Sequence, residues 1–365
     1  MSIAPSLRRC QTPPLGGDLG LAAPPSEAPL RNLVPLVGGD QVVAVDLSPG
    51  RLAEARAQDH AVACLSSLEE VLADDDIGAV ALATPVATHA ALARRCLEGR
   101  HVLVEKPLAH RSDQAAELAA LAEDRGLDLM VGHTFLFSPR VERAMECLGR
   151  ASWARAVRHL VPAQPGPSPQ GRGCHLGPGR PRLLHPVPPP GRGPGLGPDA
   201  GRGVVNPRRL DVAFVNLAFP SGVIASVTVS WLSPRKVRYA VVVGDRKMLV
   251  YDDLDNEEPV KIYDKGVVVP DPKDFGEHQL TYRHGDVLAP HVPAHEPLGQ
   301  ELAHFLDCVE GKATCRSDGW FGLGVVEALE AAERSWENGG RVTPVRSHVP
   351  APAAYGGASA VRLAR

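Results

Sequence analysis

The stretch "VALATPVATHAALARRCLEGRHVLVEKPLA", Val80–Ala109, contains a complete strand–helix–strand unit. Val80–Thr84 finishes a run of small apolar residues that begins at Gly78, the pattern of a strand buried on both faces. Thr88–Gly99 places apolar residues at helical spacing, with Thr88 the expected N-cap and Gly99 the expected stop. His101–Pro107 is the next strand. Two strands joined by a helical crossover are the building block of a parallel sheet.

The same rhythm extends in both directions. Gln41–Asp46 reads as a strand, followed by a helical segment from Arg51. Ser67–Asp74 reads as a short helix with Ser66 or Ser67 and a Glu pair at its start. Ser112–Gly126 reads as a helix and Asp128–His133 as a strand, with a further helix after Pro139. Parallel sheets bind ligands at the carboxyl ends of their strands. Asp46, Thr84, Glu105, Lys106 and His133 all fall at such ends.

The second half has a different texture. Asp211–Pro234 and Arg238–Asp253 read as β-hairpins, turning at "PSG" and "GDRK". "VKIYDKGVVV" adds a strand. Glu296–Gly311 and Gly322–Gly340 read as amphipathic helices. The fold class expected is α/β: a Rossmann-like parallel-sheet domain, its first β–α unit degraded, then an α+β domain with an open antiparallel sheet.

Composition narrows the function classes. The chain has 365 residues and a net charge of −3, so neither nucleic acid nor a membrane surface is indicated. Its seven Cys have no metal-ligand or disulfide spacing. The N-terminus lacks the apolar run of a signal peptide, and no window reaches membrane-span length. A cytoplasmic location is expected.

The quoted unit, with "DLMVGHTFLFSPRV", "DVAFVNLAFPSGVIASV" and "RSDGWFGLGVVEALEAAERS", resembles the glucose–fructose oxidoreductase / inositol dehydrogenase (Gfo/Idh/MocA) family of NAD(P)-dependent oxidoreductases. The tail resembles the branch acting on UDP-N-acetylhexosamines or hexosaminuronates at C3. The resemblance covers about 30–155 and 204–345. It implies NAD or NADP as cofactor, a sugar or sugar-nucleotide substrate, and a homo-oligomer, dimer or tetramer, formed through the antiparallel sheet. It gives Lys106 the catalytic role of holding the substrate hydroxyl and stabilising the developing oxyanion; the plain alternative is a solvated strand-end lysine. Asp46 suits a hydrogen bond to an adenosine ribose, or else caps a turn. Thr84 and Pro85 would line the nicotinamide side, or else form a strand-to-helix turn. Glu105 and Pro107 complete the cofactor set. His133 faces the substrate side or is a satisfied structural histidine.

Two expected parts are missing. No Gly-x-Gly-x-x-Gly loop follows a first strand; in its place stands "PPLGGDLGLAAPPSEAPLRNLVPLVGG". The family's Asp-x-x-x-His-Asp run, whose His takes the substrate proton, is replaced by "GRGCHLGPGRPRLLHPVPPPGRGPGLG" at Gly171–Gly197. Back-translating Cys174–Val187 and shifting by one nucleotide can yield "VIWDLAxHDFSIL", a catalytic helix of the family type. The segment 155–203 therefore reads as GC-rich coding sequence decoded out of frame, the alternative being a disordered insertion, and 1–29 as out of frame or disordered. The expected organisation is 30–150 nucleotide-binding, 151–203 Pro/Gly/Arg-rich, 204–345 substrate and oligomerisation domain, and 346–365 tail.

Overall fold

The computed structural model describes residues 21–23, 27–150, 157–161, 211–219, 223–230, 232–244, 246–268 and 281–346. They divide into two compact units. The first holds the residues up to Thr134 together with Leu298–Leu323; the second holds Phe135–Pro297 and the residues from Gly324 onward.

The first unit is built on a six-stranded parallel sheet. Its strands are β1 (Leu21–Ala23), β2 (Val42–Val45), β3 (Ala63–Leu65), β4 (Ala79–Leu82), β5 (His101–Glu105) and β6 (Leu129–Gly132). Their spatial order is β3-β2-β1-β4-β5-β6. This is the doubly wound nucleotide-binding order, which reverses direction between β1 and β4. The connecting helices are α1 (Glu27–Val37), α2 (Pro49–Gln58), α3 (Leu68–Ala73), α4 (Val86–Cys96) and α5 (Ser112–Arg125). Val42, Ala44, Val80, Val102, Val104 and Val131 form the buried centre.

The first β–α unit is present in short form. β1 has three residues, and Pro35 lies inside α1, which ends two residues later. β1 and the first turn of α1 precede residue 30. At α3 the capping reading holds: Ser67 Oγ accepts from Glu70 N at 3.3 Å, and Glu70 Oε1 accepts from Ser66 N at 3.2 Å. α5 ends at Gly126 in the left-handed conformation, φ 65°. α4 differs from expectation. It begins at Val86 with Pro85 at the N-cap, and Thr88 lies within the first turn, its hydroxyl donating to Pro85 O at 2.7 Å. Proline's fixed φ suits the helix entry and starts α4 earlier than Thr88.

Residues 298–323 lie late in the chain yet belong with the parallel sheet. They include most of α7 (Pro297–Val309) and the start of α8 (Gly319–Glu337). Val131 N donates to Ser317 O, and Ser317 Oγ donates to Val131 O, each at 2.7 Å. Two glycines permit the approach. A Cβ on Gly319 would stand 2.9 Å from Leu129 Cδ2, and one on Gly322 2.7 Å from Val131 Cγ2.

The second unit is an open seven-stranded sheet in the order β13-β12-β11-β10-β7-β9-β8. These are β7 (Val157–Val161), β8 (Val212–Ala218), β9 (Ile224–Ser230), β10 (Tyr239–Val243), β11 (Met248–Asp252), β12 (Val260–Val268) and β13 (Thr281–Leu288). Every pair is antiparallel except β7 with β9. α6 (Pro139–Arg150) packs Ala144, Cys147 and Leu148 against Val242, Leu249 and Val260. Both expected hairpins form, as β8–β9 and β10–β11. β13 was not expected from the sequence. The out-of-frame reading of 155–203 lies outside the described residues, apart from the strand β7.

Arg100 is a single-residue test of the first unit. Its buried Nη2 donates to the carbonyls of Val71, Leu72 and Asp74 at 2.9–3.1 Å, closing the end of α3. Arg100→Ala leaves those carbonyls without this donor and should cost about 2–3 kcal/mol, read as a lower urea midpoint at unchanged slope.

Candidate functional site

The carboxyl ends of β2, β3 and β4 surround a cavity of about 860 Å³. Val45, Asp46, Ser66, Leu82, Thr84 and Pro85 contribute to its wall. The cavity lies where the strand order reverses. Three of the sequence-selected residues, Asp46, Thr84 and Pro85, therefore share one space.

Asp46 is held by its own loop. Oδ1 accepts from Ser48 N at 2.7 Å, and Oδ2 accepts from Arg51 at 3.3 Å. The turn reading of Asp46 is thus realised, and the carboxylate still lines the cavity. Its side chain is 18% exposed, which leaves an edge for a ligand hydroxyl.

Thr84 and Pro107 are tied together by a residue the sequence reading passed over. His89, on the buried face of α4, places Nε2 2.7 Å from Thr84 O and Nδ1 3.0 Å from Pro107 O. Carbonyl oxygens only accept, so the neutral ring donates to one and a doubly protonated ring to both. Either way the imidazole bridges the ends of β4 and β5. The available signal was a polar side chain in line with Ala93 and Cys96 on a helical stripe.

Glu105, Lys106 and Pro107 close β5, with a cis peptide between Lys106 and Pro107. Lys106 is exposed, and its backbone N–H donates to Glu105 Oε2 at 3.2 Å. Gly132 at the end of β6 makes room for Glu105, whose Cα would lie 3.3 Å from a Cβ there. His133 follows. Burial, with Lys106 nearby, pushes its pKa down to about 4. It is therefore a neutral imidazole at pH 7, edge-on to Phe321 with ring centroids 5.2 Å apart. Its Nε2 has no partner among the described residues.

A second residue missed in the sequence is Glu301 on α7. It is buried, and Oε2 accepts from Thr134 Oγ1 at 2.7 Å while Oε1 has no partner among the described residues. Burial pushes its pKa up to about 7; Thr134's bond and Lys106 oppose this and Glu105 adds to it. Only the return of 298–323 to the first unit brings Glu301 here, so no local pattern could place it. The strand ends thus combine an exposed ammonium, a neutral imidazole and a carboxyl that titrates near neutrality. Such a set can hold a hydroxyl and exchange its proton.

For a dinucleotide, the adenosine end fits: a cavity of suitable size has a carboxylate at the end of β2. The pyrophosphate turn does not fit. Pro24, Pro25 and Ser26 separate β1 from α1, with no glycine and two residues lacking an N–H.

Residues 22–133 match the family model GFO_IDH_MocA, described as "Oxidoreductase family, NAD-binding Rossmann fold". Among curated proteins, 4-carboxy-2-hydroxymuconate-6-semialdehyde dehydrogenase of Sphingobium is 37% identical over 114 residues, 31% of this chain and 36% of that one. A dTDP-3,4-didehydro-2,6-dideoxy-alpha-D-glucose 3-reductase of Streptomyces antibioticus is 38% identical over 124 residues, 33% of this chain and 37% of that one. The chain thus spans about a third of the length of these curated relatives. The WlbA dehydrogenase of Bordetella pertussis, solved with NADH and UDP-GlcNAcA, superposes with a TM-score of 0.65 at 16% identity, covering 90% of this chain and 98% of that one. At that identity the likeness is one of fold. Residues 22–133 are thus similar to an NAD-binding Rossmann domain of that description, and the whole is similar in fold to the WlbA dehydrogenase.

The two shifted groups make opposite demands on stability. Glu301, raised from 4.5 to about 7, contributes stability below pH 4.5 that is lost as pH rises through 7. His133, lowered from 6.5 to about 4, contributes stability above pH 6.5 that is lost as pH falls through 4. Glu301→Gln should therefore gain stability relative to wild type at pH 8, on the order of 3 kcal/mol, and little at pH 4. Urea melts at both pH values check it.

Proposed function

We propose that this chain descends from, and as a whole belongs to, the Gfo/Idh/MocA oxidoreductases, and that its chemistry is oxidation of a hydroxyl on a sugar or sugar nucleotide. The substrate class is that of UDP-N-acetylhexosamine or hexosaminuronate 3-dehydrogenases. The carrying observation is the placement of Asp46, Thr84 and Pro85 around one cavity, with His89 tying the Thr84 loop to that of Lys106–Pro107. The solved WlbA complex with NADH and UDP-GlcNAcA, of like fold, supports the substrate class.

In this reading a nicotinamide cofactor, NAD or NADP, supplies the hydride acceptor. Asp46 binds the adenosine ribose, and Thr84, Pro85, Glu105 and Pro107 form the cofactor side. Lys106 holds the substrate hydroxyl and stabilises negative charge on its oxygen. His133 stands on the substrate side as a neutral imidazole. No helix among the described residues is long and apolar enough to cross a membrane; we place the protein in the cytoplasm. We also assign it a homo-oligomer, dimer or tetramer, through the open sheet, where Phe214 and Ile224 are exposed on one face.

Activity is expected to be low. The segment that should carry the proton-accepting His reads "GRGCHLGPGRPRLLHPVPPP", and Pro24–Pro25 stand where pyrophosphate-binding amides belong. Loss of a positioned proton acceptor costs about 10²–10⁴-fold in turnover.

NADH fluorescence titration with a UDP-N-acetylhexosamine turnover assay tests the reading. Saturable binding is expected, with Asp46→Ala about tenfold weaker and turnover far below that of an intact relative. Lys106→Met should remove the residual turnover and leave NADH binding. Oligomers that bind no NADH would instead make the chain a catalytically dead remnant serving as an oligomerisation or binding module.

A further inference from the structure

A second group of reactive side chains lies in the first unit, away from the cavity at the carboxyl edge. α7 ends at Val309 and the chain reverses at once. Gly311 takes φ 70°, and its N–H donates to Cys308 O at 2.8 Å. Lys312 N and Ala313 N both donate to Asp307 O, at 2.7 and 3.1 Å. The reversal sets Cys315 against Cys308, with the two thiols hydrogen-bonded to each other. One helical turn before Cys308, His304 places Nε2 3.5 Å from its Sγ. Arg316 N donates to the same nitrogen at 3.2 Å, so Nε2 is an accepting, unprotonated ring nitrogen.

Both cysteines line a cleft of about 1130 Å³, shared with Gly78, His101, Asp128 and Trp320. Gly78, His101 and Asp128 stand at the starts of β4, β5 and β6. The cleft is therefore at the amino edge of the sheet, opposite the cavity of Asp46.

We propose that Cys308 and Cys315 form a site for two-electron oxidation by small hydroperoxides, with Cys308 as the attacking thiol and Cys315 as the resolving one. His304 Nε2 takes the Cys308 proton. The thiolate attacks the terminal peroxide oxygen, an S–O bond forms as O–O breaks, and the leaving alkoxide or hydroxide takes up that proton. The Cys315 sulfur then attacks the sulfenic sulfur, S–S forms as S–O breaks, and the leaving hydroxide departs as water with the Cys315 proton. Two thiols become one disulfide, and the hydroperoxide becomes water and an alcohol, or two waters.

The electrostatics suit this division. The Cys308 thiol is shifted down, first by the hydrogen bond from Cys315, against burial and Asp128, with His304 assisting. The same bond, together with burial, pushes Cys315 up, so it keeps its proton until the second step. Cys96 is the contrast: burial pushes it up to about 11, which leaves an inert thiol.

The test is hydrogen peroxide treatment of the full chain in slight excess, then alkylation, trypsin and peptide mass mapping. Cleavage after Lys312 separates the two cysteines, so the disulfide appears as peptide 284–312 joined to peptide 313–316, about 2 Da lighter than the sum of the two. Reduction should release it. In Cys315→Ser, oxidation should stop at a sulfenic acid on Cys308, about 16 Da heavier and trapped by a dione reagent. Cys308 should react about tenfold or more faster than Cys96. If Cys308 and Cys315 remain alkylatable while other thiols oxidise, or if the wild-type map shows no 308–315 link, the proposal fails. The wild-type map decides even if a variant does not fold.

Discussion

The three residues of β1 hold the six-stranded parallel sheet together. Leu21–Ala23 pairs with β2 at Val42, Val43 and Ala44, and on its other side with β4 at Ala79 and Val80. Without this strand, β2–β3 and β4–β6 would share no hydrogen-bonded ladder. It also sets β2 and β4 two strand spacings apart, about 10 Å. Asp46 and Thr84 follow those two strands and line one cavity. A ladder this short is a small fraction of the sheet, yet each strand end of the candidate site takes its position from it.

On that frame the site is assembled from backbone ends rather than from one motif. His89 joins two loops through their carbonyls, and Gly132 lets Glu105 approach β6. Burial holds His133 neutral and Glu301 near its titration point, both beside an exposed Lys106. These groups are costly to bury, and their costs fall in opposite directions of pH. The arrangement gathers ionisable chemistry at the strand ends. The sheet's two edges also differ in kind. The carboxyl edge carries the Asp46 carboxylate and Lys106, while the amino edge carries Cys308, Cys315 and His304.

Much of this architecture was legible in the residues. The 3.6-residue and continuous-apolar patterns of 41–133 translate into β2, β4–β6 and α2–α5 with boundaries displaced by a few residues. The displacement at α4 has a local cause, since Pro85 opens the helix before Thr88 does. β1 was hard to read because three residues between Gly20 and Pro24 carry no period. β13 was hard because "TYRHGDVL" lies at a sheet edge with mostly exposed side chains, so its sequence does not alternate.

The chain's local chemistry was enough to determine that a parallel α/β sheet exists and that Asp46, Thr84, Glu105, Lys106 and His133 stand at its strand ends. Alternation and capping act over a few residues, and such signals survive without knowledge of the rest. Only the tertiary structure decided that 298–323 packs on β6, which brings Glu301 to Thr134 and sets Cys315 against Cys308. It also decided that His89 spans two loops. These contacts join residues far apart in the chain, or depend on which way a turn throws a side chain. Their energies come from burial and from hydrogen bonds that exist only once the sheet has formed.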